Sequence, residues 1–225
     1  MDSESPFRKA GLFGHARDRR GYHHGSLKDA LLDAARALLS ERGGGGFTLA
    51  EAAKRVGVTA AAPYRHFADR GALMAELARR GFEMFAQRMA GAWDQGRPDP
   101  VTALNRMGGA YLGFAREEPG LYSAMFADAG ALMREPASGM AGNKAFEQLR
   151  EATAAALRAL GGSAADAPLL SLRIWSLSHG VAMLAAGGHL APACDTDPEK
   201  VLVGGVRALL EQTARPGAPS GPWGL

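Results

Sequence analysis

The chain has 225 residues, of which 45 are alanine, 30 glycine and one cysteine, Cys194. Aromatic residues make up 7 %, so strand-favouring side chains are sparse, while Ala and Leu favour helix. One cysteine excludes a disulfide scaffold and a multi-cysteine zinc site. The first thirty residues are too polar for a secretory signal, and no uncharged apolar run approaches the ~20 residues of a membrane span. The composition predicts a soluble, cytoplasmic, all-α protein with no membrane association, no bound metal and no cofactor.

The net charge of +3 hides an asymmetry. Residues 1–75 hold 12 Lys/Arg and 8 Asp/Glu (+4), whereas residues 76–225 hold 14 and 15 (−1). His15, His23, His24 and His66 also fall in the first third. A basic end on a neutral body fits either a polyanion partner or a solvated basic tail.

Residues 1–21 lack apolar periodicity and carry Arg8, Lys9, Arg17, Arg19 and Arg20, which reads as a flexible basic arm. Ser26 with Asp29 suggests a capping box, and Leu27, Ala30, Leu31, Ala34 and Leu38 follow at helical spacing. Gly43 to Gly46 should end that helix. Thr48 with Glu51 makes a second capping box, opening a short helix that ends near Val56-Gly57. Thr59 is expected to cap a third helix of about seven residues through Phe67, with Pro63 tolerated in its first turn. Asp69 is expected to cap a fourth, with Leu73, Leu77, Phe82, Phe85, Met89 and Trp93 on roughly one face, stopped by the run from Gly96 to Pro100. Further helices are predicted at about 101–117, 119–131, 143–160, 166–187 and 198–214, giving about nine in all. The tail, 215–225, should be unstructured.

Residues 48–67 have the pattern of a helix-turn-helix. Small Ala52 and Ala53 suit a close helix crossing, Gly57 tolerates the turn, and Val56 and Val58 anchor either side of it. The second helix would present its N-terminal end to a major groove; a structural helical hairpin gives a similar pattern. Thr48, at a helix N-terminus, can offer its hydroxyl and backbone N–H groups to a phosphate. Phe67 reads as core. Lys54, Arg55 and Arg65 fit either DNA contacts or a solvated face.

The run from Tyr22 to Met74 resembles the DNA-binding region of the TetR family of bacterial regulators. The resemblance is carried by Tyr22-His23-His24-Gly25-Ser26-Leu27 with Ala30 to Ala35, by Gly57-Val58-Thr59, by Tyr64-Arg65-His66-Phe67, and by Arg70 and Leu73. It implies a helix-turn-helix domain over 22–68 and a helical effector-binding and dimerisation domain over 69–214. It implies DNA contacts from Tyr64, His66 and Arg70, to which Thr48, Thr59, Ala60 and Arg65 are added from position. Ala60, Ala61 and Ala62 stand where many relatives place a long polar side chain. Alanine can touch a thymine methyl but cannot form a bidentate bond to a purine, which leaves Thr59, Arg65, methyl contacts, DNA shape and the arm to supply specificity. Trp175-Ser176-Leu177-Ser178-His179-Gly180 resembles the Trp-His-Gly signature of one TetR C-terminal subgroup.

The resemblance further implies a homodimer on double-stranded DNA and a small-molecule effector, with repression as the family default. Large aromatics and Met suggest an apolar effector pocket lined by Trp93, Tyr111, Phe114, Tyr122, Met125, Phe126, Met133, Phe146, Trp175, His179 and Met183, although the same set equally suits a core. Apolar residues of the last two helices, among them Leu172, Leu177, Val181, Leu184, Val206, Leu209 and Leu210, suit a two-fold four-helix interface or the protomer core. Two rival readings are a helical binding or interaction module without DNA contact, and an enzyme. No catalytic motif supports the latter, since G-x-S-x-G, P-loop, HExxH and dinucleotide patterns are missing.

Overall fold

The computed structural model describes residues 27–42, 46–126, 136–190 and 197–215. Among the described residues every regular element is helical: eight α-helices and three short 3₁₀ turns. The helices are α1 (Leu27–Glu41), α2 (Leu49–Val56), α3 (Arg70–Trp93), α4 (Pro100–Glu117), α5 (Pro119–Phe126), α6 (Pro136–Ala159), α7 (Ala167–Ala186) and α8 (Pro198–Ala214). The basic arm, the Ser26 cap, Met133 and the tail beyond Arg215 lie outside the described residues.

Helix boundaries follow from local chemistry. Thr48 and Glu51 form the full capping box of α2: the Thr48 hydroxyl accepts from Glu51 N–H, and the Glu51 carboxylate accepts from Thr48 N–H. Asp69 accepts from Ala72 N–H at α3, and Asp99 accepts from two N–H groups at α4. Proline stands in the first turn of several helices, where its missing N–H has no helical partner: Pro100 in α4, Pro136 in α6, Pro168 in α7 and Pro198 in α8. Pro136 thus starts a helix seven residues earlier than the spacing predicts. The end of α3 also comes earlier, where Asp94, Gln95 and Gly96 all take positive φ.

The buried apolar residues form one continuous cluster from Leu31 in α1 to Leu210 in α8. The long helix α3 packs on α4, α5 and α6, while α1 packs on α2, α3 and α5. Ion pairs reinforce the junction between α1 and α3. Lys28 Nζ lies 3.5 Å from Glu76 and Arg80 reaches Asp29 at 2.6 Å; within α3, Arg79 forks onto Glu76 at 2.9 Å. Arg79, with Arg80 and Lys28 nearby, holds the Glu76 carboxyl down at about 2.

Helix α7 with its preceding turn, Ala164–Ala186, is long and apolar enough by length and composition to cross a bilayer. The sequence hides this because Asp166 and Arg173 interrupt the run. Its inward face, with Leu170, Ile174 and Val181, is buried in the common core.

Candidate nucleic-acid interface and internal cavity

The segment between α2 and α3 is built around Gly57. Gly57 takes φ 82°, ψ 27°, the left-handed region open to glycine, and Gly57 and Val58 N–H groups close back onto the Ala53 carbonyl. Ala52 and Ala53 are buried at the crossing, and Phe67 is buried on the far side. The chain then makes a 3₁₀ turn over Ala62–Arg65 in place of the expected seven-residue α-helix. Pro63 supplies the reason. It has no N–H to return to Thr59, so the first bond is the i→i+3 bond from Ala62 N–H to the Thr59 carbonyl. Ala61, not Thr59, precedes the turn, without a side-chain cap.

Pro63 and Phe67 anchor this turn in the core, while Thr59, Ala60, Ala61, Tyr64, Arg65 and His66 are exposed. Tyr64 is 62 % exposed, so its ring projects from the turn and does not serve as core. Arg70 opens α3 with its guanidinium 5.0 Å above the Phe47 ring, which places the charge beside the start of α2. Lys28 lies 5.9 Å over the Phe67 ring.

Not every expected cation is available to a polyanion. Arg55 forks onto Glu41 at 2.5 and 2.7 Å, tying α2 to α1. Arg42 is likewise engaged by Glu51 at 2.6 Å and by the Gly46 carbonyl at 2.8 Å. Among the described residues no carboxylate pairs with Lys54, Arg65 or Arg70. The Thr48 hydroxyl is also used internally: besides accepting from Glu51 N–H, it donates to the Glu51 carboxylate at 3.1 Å. What remains at Thr48 for a phosphate is the cluster of N–H groups in the first turn.

The six helices α3 to α8 line a cavity of about 490 Å³. Of the residues proposed from sequence, Tyr111, Met125, Phe126, Phe146 and Trp175 line it. Tyr122 and His179 stand in a second rank: Tyr122 Oη is 2.7 Å from His179 Nδ1, and Tyr111 Oη is 3.2 Å from both Tyr122 Oη and His179 Nδ1. Burial pushes the Tyr111 hydroxyl far up, pushes Tyr122 up to about 12, and lowers the His179 imidazole below its ordinary value. The trio is therefore neutral at physiological pH. Phe114 is fully buried against Phe85, at a centroid distance of 5.3 Å, behind the wall. Trp93 packs on the Asp94–Gly96 turn, where a Cβ on Gly96 would stand 3.1 Å from its ring. Met183 faces outward and is 54 % exposed. Sequence reading left out Phe82, Phe85, Met89 and Leu104, which also line the cavity. The first three lie on the face of α3 already visible in its periodicity.

The expected interface residues of α7 and α8 divide. Leu172 and Leu184 are exposed, together with Leu169, while Leu177 and Leu209 are half-buried. Val181, Val206 and Leu210 are buried inside the protomer, where they join the common core and offer no surface to a second copy.

Two family models match the chain. One, described as bacterial regulatory proteins of the tetR family, matches residues 31–77. The other, a tetracyclin repressor-like C-terminal domain, matches residues 104–209. An uncharacterized HTH-type transcriptional regulator, YobS of Bacillus subtilis (strain 168), is 32 % identical over 100 residues. That match spans 44 % of this chain and 51 % of the relative, about half its length. A protein of unknown function from Rhodococcus sp. RHA1 superposes with a TM-score of 0.73 at 29 % identity, covering 87 % of this chain and all of its own. The TetR family regulator PfmR from Thermus thermophilus superposes at 0.61 with 17 % identity, over 80 % of this chain and 97 % of its own, which shows a shared fold.

Proposed function

The chain belongs to the TetR family of bacterial regulatory proteins, and from that premise we propose that it is a DNA-binding transcriptional repressor controlled by a small molecule. Both the fold and the family are those of regulators and not of enzymes. The observation that carries the reading is the exposed turn after Gly57, set beside three cations that no carboxylate of the described residues neutralises. Residues 22–68 form the reading head in this account and 69–214 the effector and dimerisation part. Tyr64, Arg65, His66 and Arg70, with the N–H groups after Thr48, hold phosphates; Thr59 and Ala60 face base edges. We place the C-terminal part in the Trp-His-Gly subgroup on Trp175, His179 and Gly180.

One short turn reads few base pairs, so two copies are needed, with heads about 34–36 Å apart or a multiple of that. The outward face of α7, with Leu169, Met183 and Leu184, is the surface for that pairing, and Leu172, which also lines the cavity, and the half-buried Leu177 and Leu209 adjoin it. Covering this face also explains how so apolar a helix serves in a soluble regulator.

The cavity is the effector site. Among the described residues its wall carries no Lys, Arg, His, Asp or Glu side chain, so a charged ligand would lose its hydration without a partner there. The effector is therefore an uncharged, largely hydrocarbon molecule. Phe82, Phe85 and Met89 bring α3 into the wall, and the same helix begins at Arg70 in the reading head. A ligand that prefers a different tilt of α3 changes the spacing of the heads. A differential affinity of ~1–3 kcal/mol changes DNA affinity roughly 5–150-fold.

Selection of bound duplexes from a random pool tests the reading, followed by release with 1-decanol or decanoate while Trp175 fluorescence reports occupancy. A palindromic site released by the alcohol at lower concentration than by the carboxylate is expected. No enriched site contradicts DNA reading, and preferential release by decanoate contradicts the neutral effector.

A further inference from the structure

Resting on the DNA-binding reading above, we propose that the exposed turn selects thymine by its C5 methyl group, with Ala61 as the contact residue and Tyr64 beside it on the flanking phosphate.

Residues three apart eclipse in 3₁₀ geometry. Ala61 and Tyr64 therefore share one edge of the turn, and both are exposed. The opposite corner is fixed, because Pro63 is buried and Phe67 N–H closes onto its carbonyl. The turn is thus a rigid wedge with a methyl group and an aromatic ring on its leading edge. Thr59 and Ala60, both exposed, precede this edge and add further methyl groups.

The leading segment from Thr59 to Tyr64 contains no Arg, Lys, Asn, Gln, Asp or Glu. None of its side chains can make the bidentate bonds by which guanine or adenine is read, nor accept from a cytosine amine as a carboxylate does. Arg65 comes only at the trailing end of the turn, next to His66 and away from that edge. In the major groove one feature matches a methyl-bearing wedge: the thymine C5 methyl, which distinguishes T from C without a hydrogen bond.

The test uses the duplex enriched from the random pool, synthesised with thymine, with uracil at each half-site thymine, and with 5-methylcytosine at half-site cytosines. Uracil keeps every Watson–Crick edge and removes only the methyl group. Burial of one methyl predicts about a fourfold loss for each contacted thymine, and about fifteenfold for a symmetric pair. The Ala61→Gly variant should bind the thymine duplex as weakly as the wild type binds the uracil duplex, and should lose sensitivity to the change. Tyr64→Phe, which keeps the ring, should retain it. Equal wild-type affinity for thymine and uracil duplexes overturns the proposal, as does an Ala61→Gly loss that multiplies independently with uracil. Sequence enrichment without thymine in the half-site also overturns it while leaving DNA binding intact. No binding to any duplex overturns both.

Discussion

Gly120 lies so close to the backbone of Arg36 that a Cβ on it would stand 2.2 Å from the Arg36 carbonyl oxygen and 2.7 Å from Ser40 Oγ. The contact joins α5, whose other end supplies Met125 and Phe126 to the cavity wall, to α1 of the reading head. The Arg36 side chain pairs with Glu118 at the same junction. Gly120→Ala must push the two helices apart, because the obstructing atom is backbone. We predict a loss of ~1–3 kcal/mol, read as a fall of about 2–4 °C in melting temperature per kcal/mol. Gly91→Ala is the control: it is exposed near the end of α3 with nothing within 4 Å of its Cβ, and should be neutral or stabilising by up to ~1 kcal/mol. A melting temperature unchanged in Gly120→Ala would show that the junction yields freely.

In the proposed reading Arg70 and Tyr64 hold phosphates, the sequence-independent part of binding. Removing both side chains should weaken binding to every duplex and flatten the dependence of affinity on salt, since fewer counterions are released. Affinity measured from low to moderate salt on matched and unrelated duplexes checks this. Wild-type affinity at every salt concentration would remove both residues from the phosphate contacts.

His179 gives the fold an acid sensitivity whose sign is fixed. Burial lowers its imidazole below 6.5 in the folded protein, whereas an unfolded chain titrates near 6.5. Between those values the unfolded chain binds more protons, so this group's contribution to stability declines as pH falls below 6.5 through the folded value. Denaturation midpoints at pH 7.5 and pH 5 should therefore differ more in the wild type than in His179→Gln, which keeps a polar partner for Tyr122 but does not titrate. Equal differences in the two proteins would exclude the effect.

Leu169 and Leu184 are exposed on α7 outside the cavity wall. Asp at both positions places two carboxylates on the surface assigned to pairing while leaving the protomer core untouched. Light scattering at micromolar concentration should show a dimer for the wild type and a monomer for the double variant, with loss of specific DNA affinity. A double variant that stays dimeric would move the interface elsewhere.

Much of the architecture was legible because caps and periodicity are local. Thr48 with Glu51, Asp69, and Gly57 at its positive φ each do what their chemistry predicts. The turn at 62–65 is not legible from its spacing, because Pro63 is compatible with a first helical turn and yet deletes the first α bond. The cavity was half legible. Aromatic and Met residues signal apolar space, but tertiary packing decides which face the void, and so Tyr111 lines it while Phe114 and Trp93 do not. The proposed pairing face was legible as apolar helices only. Whether Val181, Val206 and Leu210 face a neighbour or the core depends on helix rotation, which no pattern of leucine and valine on a nearly all-apolar helix fixes.

In the proposed reading, two copies of the turn after Gly57 read one face of a duplex together. Hydroxyl-radical footprinting of the enriched duplex tests it most directly. Two protected patches related by two-fold symmetry are expected, centred about one helical turn or a whole multiple apart, both lost in Tyr64→Ala/Arg70→Ala. A single asymmetric patch, or protection that survives that double substitution unchanged, would contradict it.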